Sequence, residues 1–355
     1  MTADLLVVGT GLIGTSVGLA LRGQYDVVLD DPDAEAVGVA VARGAGRPWD
    51  GDEPFRHCLV AAPPSAVAGV LSGLIRQGAT YSHVASVQRT VQADLAAAGV
   101  PLADVCGSHP MAGKELSGPA AAAGGLFVGR PWVLCPSPET SAGALAAVRE
   151  VAERCGAEPV VLTAEQHDAA VALVSHLPQV AASAVAAVLD SSGRPLQLAG
   201  PGLQDTTRIA ASDPVLWVEL LRQNAAAVAP LVRQLAEELD VVAGALDELA
   251  ITPAADPAPV ESLLRRGGAG RRRVPRKRGE LDRDFVVVPV SVTDEPGQLA
   301  GVLVSAAQAG VNVEDVRVEH LPGRPTGVIE LLVHPSSREH ARAALSQAGW
   351  DVVGG

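Results

Sequence analysis

The chain has 355 residues, 48% of them apolar and 19% charged, with a formal net charge of −13. That length suits two or three domains, and that apolar content can bury real cores, which excludes an intrinsically disordered chain. The acidic balance disfavours nucleic acid as the main partner, and no uninterrupted apolar run reaches the roughly 18 residues of a membrane span.

The start, Met1-Thr2-Ala3-Asp4, leads straight into an apolar strand pattern with no basic leader, so no cleaved signal is expected. Cys58, Cys106, Cys135 and Cys155 are dispersed, without a CxxC or a His-Cys cluster. This is the usage of a reducing cytoplasm; neither a disulfide framework nor a metal site is expected.

Strand and helix signals alternate over residues 1–162. Leu5–Val8 is followed by Gly9 and a helical pattern to Arg22, and Val27–Leu29 ends at Asp30-Asp31. Further short runs lie at Leu59–Ala61, Tyr81–Ala85, Ala103–Cys106, Trp132–Leu134 and Val160–Leu162. Such alternation predicts an α/β domain of Rossmann type, a mostly parallel sheet covered on both faces. From 163 to 251 the pattern turns helical: Ala169–Leu189 is nearly free of charge, and Asp213-Pro214 reads as a cap and first turn. A helix so apolar has to pack against its neighbours or against a second copy, so this all-α domain is expected to form a homodimer interface, with burial inside one chain as the alternative.

Residues 252–283 combine a Pro-Ala stretch with a basic run from Arg265 to Arg278 broken by glycines, which reads as a solvated linker. Residues 284–355 then give strand, helix, strand, strand, helix, strand: Phe285–Val292, Gln298–Ala309, Val311–Glu319, Gly327–His334, Ser336–Ala348 and Trp350–Val353. That βαββαβ order is ferredoxin-like.

Gly9-Thr10-Gly11-Leu12-Ile13-Gly14 is a GxGxxG directly after a strand and opening a helix. Gly9 allows the tight turn, Gly11 lets backbone approach a pyrophosphate, and Gly14 lets helix and strand pack closely; the helix end, with the N–H groups of Leu12 and Ile13, favours phosphate. Asp30, 16 residues past Gly14, can accept from the adenosine ribose hydroxyls and would repel a 2′-phosphate, which favours NAD over NADP. Asp31 is the alternative carboxylate.

A dehydrogenase needs a proton acceptor at the substrate hydroxyl and a cation for an acidic substrate. Ser108-His109-Pro110, Ser175-His176-Leu177-Pro178-Gln179 and Gly202–Ala210, with Asp205 and Arg208, offer them. His109 follows a strand whose end should meet the cofactor cleft. Each candidate has a structural reading as well: Ser86 as a strand end, Asp205 in a cap, His176 and Trp217 as core, Glu115 as surface charge.

Taken together, GTGLIGTS, the Ser86 turn, GSHPMAGKE, SHLPQ and GLQDTTRIAASDP with Trp217 resemble the prephenate dehydrogenase family of tyrosine biosynthesis over roughly residues 4–250. Asp294–Leu299 and Gly310-Val311-Asn312 resemble an ACT domain. The resemblance implies an NAD-dependent oxidative decarboxylation of prephenate to 4-hydroxyphenylpyruvate. It matches His109 to the catalytic histidine, Ser86 to the serine orienting it, and Arg208 to the arginine on a substrate carboxylate. Gln179, His176, Asp205 and Glu115 fall at substrate-binding positions, and Asp294, Gly297, Leu299 and Asn312 at an amino-acid effector site. Gln179 stands where many members have a histidine, and Gln204 where a basic residue often sits. Both changes remove a cation near the substrate side chain and tilt the expectation toward arogenate. A non-catalytic NAD- and amino-acid-sensing protein, and an unrelated hydroxy-acid dehydrogenase, are the alternatives of another class.

Overall fold

The computed structural model describes the chain except residues 1, 77, 114–115, 191–192, 194–195, 275–284, 321–325 and 354–355. It divides into two compact units, Met1–Gly244 and Ala245–Gly355.

The first unit opens with β1 (Ala3–Val8), α1 (Leu12–Ala20), β2 (Val27–Asp30), α2 (Ala34–Ala42), β3 (Arg47–Pro48), β4 (Phe55–Val60), α3 (Pro64–Leu74), β5 (Thr80–His83) and α4 (Arg89–Ala97). It continues through β6 (Val105–Pro110), β7 (Pro131–Pro136), α5 (Ala142–Arg154) and β8 (Glu158–Val161). The strands form one sheet in the order β3-β2-β1-β4-β5-β6-β7-β8, parallel throughout except for β6 against β7. Leu5 and Val7 enter the core on one face of β1, Leu6 and Val8 the core on the other. An unbroken apolar strand is what burial on both faces requires. His109 lies on β6 itself rather than beyond its strand, because pairing with β7 carries the ladder on to Pro110.

The helices that follow are α6 (Ala164–Val171), a π-helical turn (Ala172–His176), α7 (Leu177–Asp190), α8 (Pro201–Thr207), a 3₁₀ turn (Arg208–Ala211), α9 (Pro214–Gln223) and α10 (Ala225–Ile251). Thr163 and Gln166 cap α6 reciprocally, and Asp213 caps α9 through the N–H of Val215. From Ala164 to Asp190 the chain is one helix of 27 residues, with an 18-residue window of mean hydropathy 1.6, long and apolar enough by that measure to cross a membrane. The expectation that no uninterrupted apolar run reaches that length stands, since Ser175, His176 and Gln179 break the run. His167, Asp168, His176 and Gln179 are all buried within the protein, so those positions face protein.

The second unit takes in the stretch expected as a linker. Ala258–Arg273 is a helix, α11, with no residue buried; Pro259 sits in its first turn, Glu261 pairs with Arg265, and three arginines close its last turn. Residues 275–283 of that stretch lie outside the described residues. Then come β9 (Val286–Thr293), α12 (Gln298–Gln308), β10 (Val313–His320), β11 (Thr326–Val333), α13 (Arg338–Gln347) and β12 (Asp351–Val352). Their sheet runs β10-β11-β9-β12, antiparallel at every pair. Alternate residues of β11 are buried, placing Ile329, Leu331 and Val333 against Val302 and Ala306 of α12 and Ala341 and Leu345 of α13.

Candidate active site

In this sheet β2 lies to one side of β1 and β4 to the other, so the crevice outside their carboxyl ends is a topological switch point. The glycine loop stands there. Gly9 has φ +104°, and a Cβ on it would come within 2.4 Å of the Ala61 carbonyl oxygen after β4. A Cβ on Gly14 would lie 1.9 Å from the Gly9 oxygen and 2.9 Å from Val7 Cγ1. On Gly11 it would meet nothing within 4 Å. Two of the glycines are therefore demanded by the protein's own packing, while the third borders open space at the start of α1. With Gly11 as the N-cap and no acidic residue in the first turn, the Leu12 and Ile13 N–H groups and the positive helix end suit a pyrophosphate.

The two candidate carboxylates take different places. Asp31 Oδ2 accepts from the Thr10 backbone N–H at 2.6 Å and from its hydroxyl at 3.1 Å, while Oδ1 accepts from Asp33 N–H at 2.9 Å. Asp31 thus holds the glycine loop. Asp30, at the carboxyl end of β2, is half-buried and accepts the Gly9 N–H with its backbone oxygen at 2.8 Å. Its carboxylate is the one left for a ribose.

Strands β1, β4, β5 and β6 are parallel neighbours, so the end of β6 lies on the same edge as the glycine loop, three strand spacings or about 14 Å across. His109 is at that end. Its Nδ1 lies 3.0 Å from Nε2 of His167, and Nδ1 of His167 lies 2.8 Å from Asp168 Oδ1. Asp168 in turn accepts the backbone N–H of Gln88 at 2.8 Å and of Arg89 at 2.9 Å, at the start of α4. Burial works to raise the Asp168 carboxyl, but the hydrogen bonds from His167, Arg89 and Gln88 outweigh it and hold it below its ordinary value. Burial, with His167 and His176 nearby, pushes His109 down to about 3 against the opposing pull of Asp168, so the ring is neutral at pH 7.

His167 and Asp168 are the residues that reading the sequence missed. A His-Asp pair in the first turns of an otherwise apolar helix was the available signal.

His176 closes the π-helical turn, a local widening common at functional sites. It is buried, its Nδ1 lies 3.2 Å from Asn224 Nδ2, and the Trp217 ring meets it edge-on at 5.9 Å. Burial, aided by His167 and opposed by Asp168, lowers its pKa. Asn224 also donates to the Asp168 carbonyl at 2.9 Å, tying the start of α10 to α6.

Gln179, at an expected substrate-binding position, is held inside the protein. It is 5% exposed, and its amide donates to the Ile209 carbonyl at 3.0 Å, one residue past Arg208. Its N–H is engaged by the turn that presents Arg208, because α7 packs directly on that turn. Arg208 itself is exposed on the turn, and Asp205 is exposed within α8.

Ser86 is half-buried on the loop between β5 and α4, but among the described residues it makes no hydrogen bond to His109; His167 holds that ring instead. Glu115 lies outside the described residues. Asp294 and Leu299 line a cavity of about 90 Å³ in the second unit, whereas Gly297, at φ +96°, caps α12 and Asn312 is bonded to Glu314. Among the described residues no group of three His, Cys, Asp or Glu side chains is arranged to hold a metal ion.

Comparison with known proteins adds to this geometry. Residues 17–163 match the model for the prephenate dehydrogenase nucleotide-binding domain, and 163–250 that for the prephenate dehydrogenase dimerization domain. A Streptomyces niveus protein described as "Probable prephenate dehydrogenase NovF" is 37% identical, over 97% of this chain and 98% of its own. A cyclohexadienyl dehydrogenase of Zymomonas mobilis is 29% identical, over 64% of this chain and 83% of its own. A crystal structure of prephenate dehydrogenase from A. aeolicus, in complex with hydroxyphenyl propionate and NAD+, superposes with TM-score 0.68 at 26% identity, covering 78% of this chain and 99% of that one. With two family models together spanning well over half its length, the chain belongs to the prephenate dehydrogenase family.

Proposed function

We propose that the chain is an NAD-dependent oxidoreductase that converts prephenate to 4-hydroxyphenylpyruvate with loss of CO₂. The observation that carries this is a neutral His109 at the sheet edge that also holds the glycine loop, with its Nδ1 taken up by His167. Gly9, Gly11, Gly14 and the first turn of α1 hold the pyrophosphate, and Asp30 the ribose. Bound NAD⁺ supplies the acceptor for the hydride that leaves C4 of the cyclohexadiene ring.

His109 Nε2 accepts the proton of the 4-hydroxyl as that hydride departs. Loss of CO₂ from C1 then gives its electron pair to the ring, which becomes aromatic, and the phenol oxygen regains the proton from His109. Arg208 holds a substrate carboxylate through paired N–H donors, which a planar guanidinium provides. Ser86 contacts the hydroxyl, and His176 and Trp217 wall the pocket.

NADH formation on mixing the protein with prephenate and NAD⁺ tests this reading; no absorbance change at any prephenate concentration rejects it. Arogenate is the second substrate to compare, on Gln204 and Gln179 standing in place of cations. The Gln179 part of that case is weakened by the bond to Ile209.

The domain reading is 1–162 for the nucleotide, 163–251 for substrate and dimerisation, and 284–355 as a ferredoxin-like ACT domain. The βαββαβ order, the β10-β11-β9-β12 sheet and the cavity beside Asp294 and Leu299 support the last. Calorimetry with tyrosine tests it, and no heat with any aromatic amino acid rejects it. Four buried thiols support a cytoplasmic setting.

A further inference from the structure

We propose that His167 and Asp168 are positioning residues for His109: the direction in which their hydrogen bonds run fixes the His109 proton on Nδ1 and turns a bare Nε2 toward the substrate hydroxyl. This rests on the reading of His109 as the proton acceptor.

The direction follows from the far end of the chain. Asp168 receives two backbone N–H groups at the N-terminal end of α4, where a helix favours negative charge, and nothing in that arrangement asks it to donate. An ionised carboxylate only accepts, so His167 must present N–H from Nδ1 at 2.8 Å. In its neutral form, the one this proposal takes, His167 has a single N–H, so its Nε2 carries a lone pair. That lone pair faces Nδ1 of His109 at 3.0 Å, and the contact is attractive only if His109 Nδ1 bears its proton. Nε2 of His109 is then the nitrogen without one.

Reversing the His109 tautomer would bring two lone pairs together at 3.0 Å, or would force His167 to turn its own lone pair on the Asp168 carboxylate. Each alternative replaces a hydrogen bond by a repulsion in a region where His167 and Asp168 are 1% and 2% exposed. The tautomer is therefore set by residues that need not touch the substrate.

The same chain acts when the proton arrives. As the 4-hydroxyl proton moves to Nε2, the ring becomes an imidazolium protonated at both nitrogens. Its Nδ1–H still donates to His167, and the Asp168 charge lies one ring further on. No bond other than O–H and N–H changes, and the proton leaves by the same nitrogen to the phenol oxygen. Among the described residues Asp168 is the one charged group acting on the ring, and His167, His176 and His83 are the other titratable groups around it.

Three variants of the full chain, with two readouts, test this. Asp168→Asn keeps the shape but removes the charge; because Oδ1 also accepts the Gln88 N–H and Oδ2 the Arg89 N–H, an amide nitrogen in either place faces a backbone donor and the hold on His167 is weakened. We expect kcat to fall by roughly 10²–10⁴-fold with KM changed by less than about threefold. Imidazole ¹⁵N shifts, recorded without cofactor or substrate, should show His109 protonated at Nδ1 in the parent and divided between Nδ1 and Nε2 in His167→Leu. His167→Leu breaks the chain while leaving the Asp168 bonds to Gln88 and Arg89 intact, and covers the case in which Asp168→Asn fails to fold. His167→Gln can accept from His109 and donate to Asp168, so it should keep the Nδ1 tautomer and recover most of the rate lost in His167→Leu.

Parent-like kcat in His167→Leu or Asp168→Asn, with His109 still protonated at Nδ1, overturns the proposal. His109→Asn separates it from the reading beneath: a parent-like rate there removes the proton acceptor itself, whereas a collapse of the rate there alone leaves the acceptor in place and the positioning pair refuted.

Discussion

The side-chain amide of Gln179 donates to the backbone carbonyl of Ile209 at 3.0 Å, joining α7 to the turn that presents Arg208. His176 lies one helical turn earlier on the same face of this continuous helix, so one element carries both the histidine proposed to wall the pocket and the tether of the turn bearing Arg208. Gln179→Leu removes the donor and leaves the Ile209 carbonyl without that partner. It should lower stability by about 1–2 kcal/mol and, through a loosened Arg208, raise the prephenate KM roughly tenfold with kcat little changed. Steady-state kinetics beside urea unfolding check both; an unchanged KM would separate Gln179 from Arg208.

The three glycines of the loop should respond differently to one methyl group. Gly14→Ala places carbon 1.9 Å from the Gly9 oxygen, so β1 and α1 must separate and the protein should be strongly destabilised. Gly11→Ala meets no protein atom within 4 Å and should melt as the parent does. Its cost should appear only when a pyrophosphate approaches, as at least a roughly tenfold weaker Kd for NAD⁺, about 1.4 kcal/mol. Thermal melts with and without NAD⁺ distinguish the two. A Gly11→Ala protein that binds NAD⁺ like the parent would move the phosphate elsewhere.

That loop was legible in the sequence because its reasons are local: a strand, three glycines at fixed spacing, a helix. The strand alternation after residue 284 was legible for the same cause, since half-buried strands announce themselves with period two. The partner of His109 was not. His109 and His167 are 58 residues apart, and only the sheet, by setting the end of β6 beside α6, brings them into contact. Resemblance pointed to Ser86 for that role, which concerns a residue's neighbourhood in the chain more than its hydrogen bond. The α11 helix was hidden by composition: Gly267, Gly268 and Gly270 lower its intrinsic propensity, and its support comes from the Glu261–Arg265 pair and arginines at its carboxyl end.

Two buried histidines and a half-buried one make stability depend on pH in a defined window. Burial pushes His57 down to about 4, burial with His167 pushes His83 down to about 4, and His109 lies at about 3. In the unfolded chain all three titrate near 6.5. Between pH 6.5 and 4 the unfolded state therefore binds protons that the native state refuses, so stability rises with pH and is lost as pH falls through this range. Each histidine contributes a slope of up to about 1.4 kcal/mol per pH unit there. Urea midpoints measured from pH 7 to 4.5 should fall steadily. His57→Gln, whose ring otherwise bridges Thr80 and Ser82, should fall less steeply. A flat profile would mean that these rings are hydrated and charged.

On α9, Trp217 turns inward to His176 while Val215 and Val218, one turn apart, are 79% and 66% exposed, with Leu216 beside them at 51%. On α7, Val185 and Val188 are exposed as well. So many uncovered branched side chains on two helices of one unit call for a cover, and a second copy of the same helices supplies one of matching chemistry. The parent should sediment as a dimer at micromolar concentration. A carboxylate at either valine would sit desolvated in that interface, so Val215→Asp and Val218→Asp should each shift the protein toward monomer, with helix content retained by circular dichroism. A parent that sediments as a monomer would leave these side chains exposed to water and remove the case for a symmetric interface through α9.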